Sequence, residues 1–174
     1  MGGQGNRNIV EFTPKQSEAM DAISSEKYTF ILFGGAMGGG KTFWGLSALL
    51  IMCEVFKGSR WCVIRENNEK IRTTTIPSFK KLKASGKLRE SPYEYTHPNG
   101  SQIIFKGENY DNDKNLDWLK GFECSGFLFE EINECQQDTL DIAFGRAGRW
   151  ESTPRPNPII LSTCNPTNNW VKDL

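Results

Sequence analysis

Gly35-Ala36-Met37-Gly38-Gly39-Gly40-Lys41-Thr42 has the residue types and spacing needed to hold a phosphate. It fits G-x-x-x-x-G-K-[ST], the phosphate-binding P-loop. Glycines let the backbone take positive φ and approach an anion closely. The N–H groups of such a turn, at the start of a helix, form a nest for negative charge. Lys41 can reach β- and γ-phosphates, and the Thr42 hydroxyl can ligate Mg²⁺. The flanking residues supply the required context, an apolar run before the turn (Phe30-Ile31-Leu32-Phe33) and a helix-compatible run after it.

A second chemical signal is Gly126-Phe127-Leu128-Phe129-Glu130-Glu131, an apolar strand ending in two acids. This is the Walker B arrangement: the first acid holds Mg²⁺ and the second orients and deprotonates the attacking water. Glu130 is the candidate metal-site residue and Glu131 the candidate catalytic base. Glu130 stands where Asp is more usual, one methylene longer. Phe12-Thr13-Pro14-Lys15-Gln16 forms a third signal. The Gln16 amide can pair with an adenine edge and Phe12 can stack on the base; an ordinary helix N-terminus with an exposed Gln is the alternative. A fourth is Leu161-Ser162-Thr163-Cys164-Asn165-Pro166, a strand ending in small polar residues. There Thr163 or Asn165 can sense a γ-phosphate, or the segment is a strand end with an Asx-Pro turn.

Phosphoryl transfer also calls for a cation beyond the P-loop lysine. Lys120, Arg146 and Arg149 lie near the acidic strand in sequence and are candidates, though each reads more readily as a solvated surface charge than as a finger. Lys80, Lys81 and Lys83 form a basic helix face that could meet nucleic-acid phosphates or simply face water.

These residues need a scaffold. The 174 residues, 37% hydrophobic with 11 Phe and 5 Trp, suit one domain with a real core. Lys+Arg 21 balance Asp+Glu 21, so net charge does not point to nucleic acid. The five cysteines show no metal-like spacing and are expected as free thiols. A single histidine, His97, argues against a histidine-ligated metal or a histidine triad. No apolar run reaches the ~18 residues of a membrane span. Predicted elements are a helix from Pro14 to about Ser24 capped by Thr13, a strand over 28–33, a helix over 42–56 and a strand over 60–65. They continue with a basic helix over 68–84 kinked or broken at Pro77, a hairpin across His97-Pro98-Asn99-Gly100, a strand over 124–129, a helix over 134–145 and a strand over 158–162. Strands alternating with helices indicate an α/β fold with a mainly parallel sheet. Residues 1–12 are expected to be a mobile N-terminal segment and 13–174 the core.

In order and spacing, these motifs resemble the ATPase domain of tailed-phage large terminases, the DNA-packaging motors. The resemblance rests on Thr13-Pro14-Lys15-Gln16, Gly34–Thr42, Pro98-Asn99-Gly100-Ser101 with Ile103-Ile104-Phe105 and Gly107, Phe129 to Glu134, and Ser162 to Pro166. It implies a P-loop NTPase of the RecA/ASCE-like type, with helices flanking the sheet and a β-hairpin insertion. It further implies an ATPase that uses ATP and Mg²⁺ to move double-stranded DNA into a procapsid. The implied partners are a portal protein, a terminase small subunit and a homo-oligomeric ring, expected to be a pentamer. The implied setting is the host cytoplasm, docked transiently on the procapsid. Nucleotide contacts are expected from Gln16, Phe12, Gly35, Ala36, Met37, Gly38, Gly39, Gly40, Lys41, Thr42, Thr163 and Asn165. Metal contacts are expected from Thr42 and Glu130. Met37 stands where many relatives carry an arginine proposed as a finger in cis. Lys120-Gly121 stands where some have Arg-Gly, proposed to reach the next subunit; Arg146 and Arg149 are the alternatives. The lid subdomain and the C-terminal nuclease of the family are expected to lie outside this chain. A helicase-like translocase and a non-hydrolysing nucleotide-binding assembly module are the competing readings.

Overall fold

The computed structural model describes residues 11–35, 38, 40–166 and 168–174. Residues 1–10 of the expected mobile segment 1–12, and the P-loop residues Ala36, Met37 and Gly39, lie outside the described residues. The elements are α1 (Pro14–Ser24), β1 (Phe30–Gly34), α2 (Lys41–Val55), β2 (Arg60–Arg65), α3 (Asn68–Lys70), a π-helical turn (Ile71–Thr75) and α4 (Ile76–Lys81). After these come β3 (Lys87–Glu90), β4 (Tyr93–Thr96), β5 (Gln102–Gly107), α5 (Asp117–Lys120), β6 (Gly126–Phe129), α6 (Gln137–Arg146) and β7 (Ile159–Cys164). Short 3-10 turns occupy Ile132–Glu134 and Trp170–Asp173.

Among the described residues seven strands form one sheet in the order β1-β7-β6-β2-β5-β4-β3. The pairs β1–β7, β7–β6, β6–β2 and β2–β5 are parallel; β5–β4 and β4–β3 are antiparallel. This is the expected mainly parallel α/β sheet with a hairpin insertion. The strands read as continuous apolar runs because both faces are covered. Alternation sends Trp61 and Val63 of β2, Leu128 of β6 and Leu161 of β7 into one core, with α2 and Ile76 and Phe79 of α4. Cys62 and Ile64, Phe127 and Phe129, and Ile160 go to the other face, with Leu119, Leu140 and Ala143 from α5 and α6. Helix α2 is apolar nearly all round because it is enclosed: Trp44, Leu46, Leu49 and Cys53 are fully buried. All five cysteines are buried free thiols. No helix among the described residues is long and apolar enough to cross a membrane.

The α1 cap is as read, with Gln16 Oε1 accepting from the Thr13 N–H in a capping box. Elsewhere the structure revises the local reading. Pro77 neither breaks nor simply kinks the expected 68–84 helix. Its missing N–H and bulky ring would disrupt the preceding turn, and the chain instead widens to π geometry, with the Ile76 N–H bonding the Ile71 carbonyl five residues back. Strand β3 was not expected; its sequence is short and mostly exposed. Helix α6 starts at Gln137 rather than Glu134, because Glu131 lies in the left-handed region (φ 56, ψ 59) and a 3-10 turn intervenes. Gly107 permits a close approach: a Cβ there would stand 2.3 Å from the Asn68 backbone N. Strand β5 can therefore abut the start of α3.

The hairpin turn closes the far end of α2. Asn99 Nδ2 donates to the Cys53 carbonyl at 2.8 Å, and Ser101 Oγ donates to the Cys53 and Phe56 carbonyls at 3.0 Å each. His97 Nε2 lies 2.9 Å from Glu54 Oε2. The otherwise unpaired carbonyls of the helix C-terminus are thus met from another element.

Candidate phosphate and metal site

The C-terminal ends of β1, β7, β6 and β2 meet at one edge of the sheet, where open α/β sheets place their ligands. The P-loop leaves β1 there and enters α2 through Gly40, whose φ of 69 is left-handed. A Cβ at Gly40 would also come within 2.7 Å of Gln16 Nε2. Gln16 is buried, not exposed, and its Nε2 donates to the Gly40 carbonyl at 3.1 Å. The adenine candidate is therefore an anchor between α1 and the P-loop, with both ends of its amide engaged. Phe12 packs edge-on against Phe43 of α2, centroids 6.4 Å apart.

Lys41 is buried, and its Nζ donates to the Gly35 carbonyl at 3.0 Å and to Asn165 Oδ1 at 2.9 Å. Asn165 passes the connection on: its Nδ2 donates to Glu131 Oε2 at 2.7 Å and its backbone N–H to the same oxygen at 3.2 Å. The Glu131 backbone N–H donates to Thr163 Oγ1 at 3.1 Å. The P-loop lysine, the β7 end and the second acid of β6 therefore form one hydrogen-bonded chain. Burial raises the Glu131 pKa above the usual carboxylate range, opposed by the positive charges of Lys41 and Arg65. A carboxylate raised in this way is better suited to take a proton.

Thr42 Oγ1 donates to Glu130 Oε1 at 2.6 Å, and Thr75 Oγ1 donates to Glu130 Oε2. Glu130 is buried. Thr42 and Glu130 together present hard oxygen donors on adjoining elements, the type Mg²⁺ takes. Among the described residues no three His, Cys, Asp or Glu side chains gather into a protein-only metal cage. A Mg²⁺ site of one or two protein oxygens completed by phosphate and water is the usual form.

Two of the candidate finger cations lie elsewhere. Arg146 Nε donates to the Phe122 carbonyl and Arg149 Nε to the Gly145 carbonyl. The Arg149 N–H bonds Cys124, which precedes β6, so this segment sits at the strand end opposite Glu130. Lys120 is exposed and paired with Asp117 at 3.3 Å.

Sequence reasoning missed two neighbours of the acids. Arg65, which closes β2, is buried; its Nη1 lies 3.6 Å from Glu130 Oε1 and its Nη2 lies 3.2 Å from Glu134 Oε2. Thr75 reaches Glu130 from the π-helical turn. A usable signal existed for Arg65 alone, a charged residue ending an apolar strand as Glu130 does.

Solved structures similar to this chain share this architecture. It matches the large terminase of a thermophilic bacteriophage at TM-score 0.72 and 16% identity, covering 90% of this chain and 40% of that one. A Thermus phage large terminase ATPase domain matches at TM-score 0.60 and 13% identity, over 89% of this chain and 67% of that one. The viral genome packaging motor assembly of bacteriophage Phi-29 matches at TM-score 0.57 and 11% identity, over 88% and 49%. The chain thus spans well under half of the first of these relatives. No curated protein matches it by sequence. The model of phage terminase large subunits matches residues 26–173. On that match, over a fold common to large terminase ATPase domains, the chain belongs to the phage terminase large subunit family and represents its N-terminal domain.

Proposed function

We propose that this chain binds ATP with Mg²⁺ at the C-terminal edge of its sheet and hydrolyses it, as the motor domain that drives double-stranded DNA into a viral procapsid. The observation that carries the reading is the chain Lys41–Asn165–Glu131, with Thr42–Glu130 beside it, at the N-terminus of α2. Two complexes of the same thermophilic phage terminase support it, one with ATP-gamma-S and one with ADP. The likeness to the Phi-29 packaging motor supports the motor context.

In this reading the P-loop N–H groups and Lys41 bind the β- and γ-phosphates. Thr42 and Glu130 would hold Mg²⁺, which would supply positive charge against the phosphate oxygens. Glu131 accepts a proton from water as its oxygen attacks the γ-phosphorus; the bond from that phosphorus to the β–γ bridging oxygen breaks, leaving ADP and phosphate. Asn165 touches both Lys41 and Glu131, and Thr163 touches Glu131, so the two are proposed to report the γ-phosphate state to the segment after β7. Exposed Lys120 is the proposed cation offered to a neighbouring subunit in a ring. Portal protein, small subunit, double-stranded DNA and the host cytoplasm complete the proposed setting.

The test is paired. Glu131→Gln is expected to keep nucleotide affinity and lose turnover, and Lys41→Ala to lose affinity. Unchanged hydrolysis in the first variant, or retained affinity in the second, overturns the assignment.

A further inference from the structure

We propose that Arg65 is a positioning residue that sets divalent-cation affinity by competing with the cation for one oxygen of Glu130. The inference rests on the nucleotide site proposed above. Glu130 divides its two oxygens: Oε2 is taken by Thr75 from the π-helical turn, and Oε1 faces the P-loop hydroxyl of Thr42. Arg65 Nη1 approaches that same Oε1, at 3.6 Å. A cation reaching Glu130 from the Thr42 side therefore meets an oxygen already under a positive charge.

Arg65 also has an alternative partner. Its Nη2 lies 3.2 Å from Glu134 Oε2, while the other Glu134 oxygen is 2.8 Å from Lys70 Nζ. Arg65 Nε is buried and makes no hydrogen bond among the described residues. The guanidinium is thus held between two carboxylates with a donor to spare, and it can shift onto Glu134 as Glu130 turns to a cation. The guanidinium charge and a divalent cation thus oppose each other at the same oxygen. Such a residue weakens the hold on Mg²⁺ and hastens loss of the Mg²⁺·ADP product, which suits a motor that must empty its site every cycle.

The experiment measures Mn²⁺ binding by electron paramagnetic resonance at saturating ADP, and ADP affinity separately in EDTA. Arg65→Gln is expected to tighten Mn²⁺ by about tenfold or more, from loss of a unit charge a few ångströms away. Metal-free ADP affinity stays unchanged. Arg65→Lys, which keeps the charge, stays near wild type. Lys70→Gln, one ion pair further out and partly solvated, moves Mn²⁺ affinity by less than about twofold. Unchanged or weaker Mn²⁺ binding in folded Arg65→Gln overturns the proposal. Should that variant fail to fold, Glu134→Gln decides: it leaves Arg65 wholly on Glu130 and must weaken Mn²⁺ binding, and unchanged or tighter binding overturns the proposal. Failure of the wild-type chain to bind Mn²⁺ and ADP at all would instead remove the nucleotide reading itself.

Discussion

Replacing Asn99 by alanine should destabilise the fold through the far end of the P-loop helix. The side chain makes two good hydrogen bonds: Nδ2 to the Cys53 carbonyl at 2.8 Å, and Oδ1 from the Ser101 N–H at 3.0 Å. The Cys53 carbonyl keeps a second partner in Ser101 Oγ, so that loss costs about 1 kcal/mol. Ser101 is fully buried, and its N–H would lose a partner where water does not replace it. That costs about 1–2 kcal/mol more. The sum, about 2–3 kcal/mol, corresponds to a melting temperature lower by roughly 5–10 °C for a domain of this size. Thermal unfolding by circular dichroism reads it directly. Asn99→Asp is the control: it keeps the acceptor for Ser101 but sets a negative charge against carbonyls at a helix C-terminus, where the dipole disfavours anions. It should destabilise at neutral pH at least as much as alanine does, and less at acid pH. A change below about 0.5 kcal/mol in Asn99→Ala, within the range of an ordinary surface substitution, would refute the cap.

Other outcomes follow from the same geometry. Gly40→Ala should weaken nucleotide binding and lower stability, since φ 69 disfavours a Cβ and that Cβ would press on Gln16 Nε2; adding Gln16→Ala should recover part of the loss in an isothermal titration. Glu108 is buried, accepts from the Gln136 N–H at 2.8 Å and from the Thr139 hydroxyl, and burial raises its pKa. Its ionised form is therefore penalised in the fold, and the penalty grows as pH rises above the unfolded carboxylate value. Glu108→Gln should stabilise at neutral pH, with the difference vanishing below about pH 4; urea titrations at both pH values check it. Asn165→Ala should cut turnover by about 10²-fold or more while nucleotide affinity changes little, because it removes an oriented donor from Glu131; equal losses in affinity and turnover would contradict that role.

Much of this site was legible from local sequence because its chemistry lies at strand ends. Gly40-Lys41-Thr42, Glu130-Glu131 and Thr163 to Asn165 each follow an apolar run, and parallel strands gather their C-terminal ends at one edge. Arg65 obeys the same rule, but its place beside Glu130 depends on β2 lying next to β6, a long-range pairing that local pattern does not encode. Thr75 was hidden by the π-helical turn, since its reach depends on the wider hydrogen-bonding pattern at Ile71–Ile76. Gln16 was read as an adenine contact or an exposed residue at a helix start; its tie to Gly40 spans 24 residues and appears only when α1 packs against the P-loop. Strand β3 was missed because an exposed edge strand carries little apolar alternation.

The most direct test of the central claim is an anomalous-scattering crystal structure of the chain with ATP-gamma-S and Mn²⁺. The account predicts a Mn²⁺ peak between the Thr42 hydroxyl and Glu130, with the γ-phosphate against Lys41 and the α2 N-terminus. Nucleotide density away from this edge, or Mn²⁺ bound without contact to either Thr42 or Glu130, would contradict it.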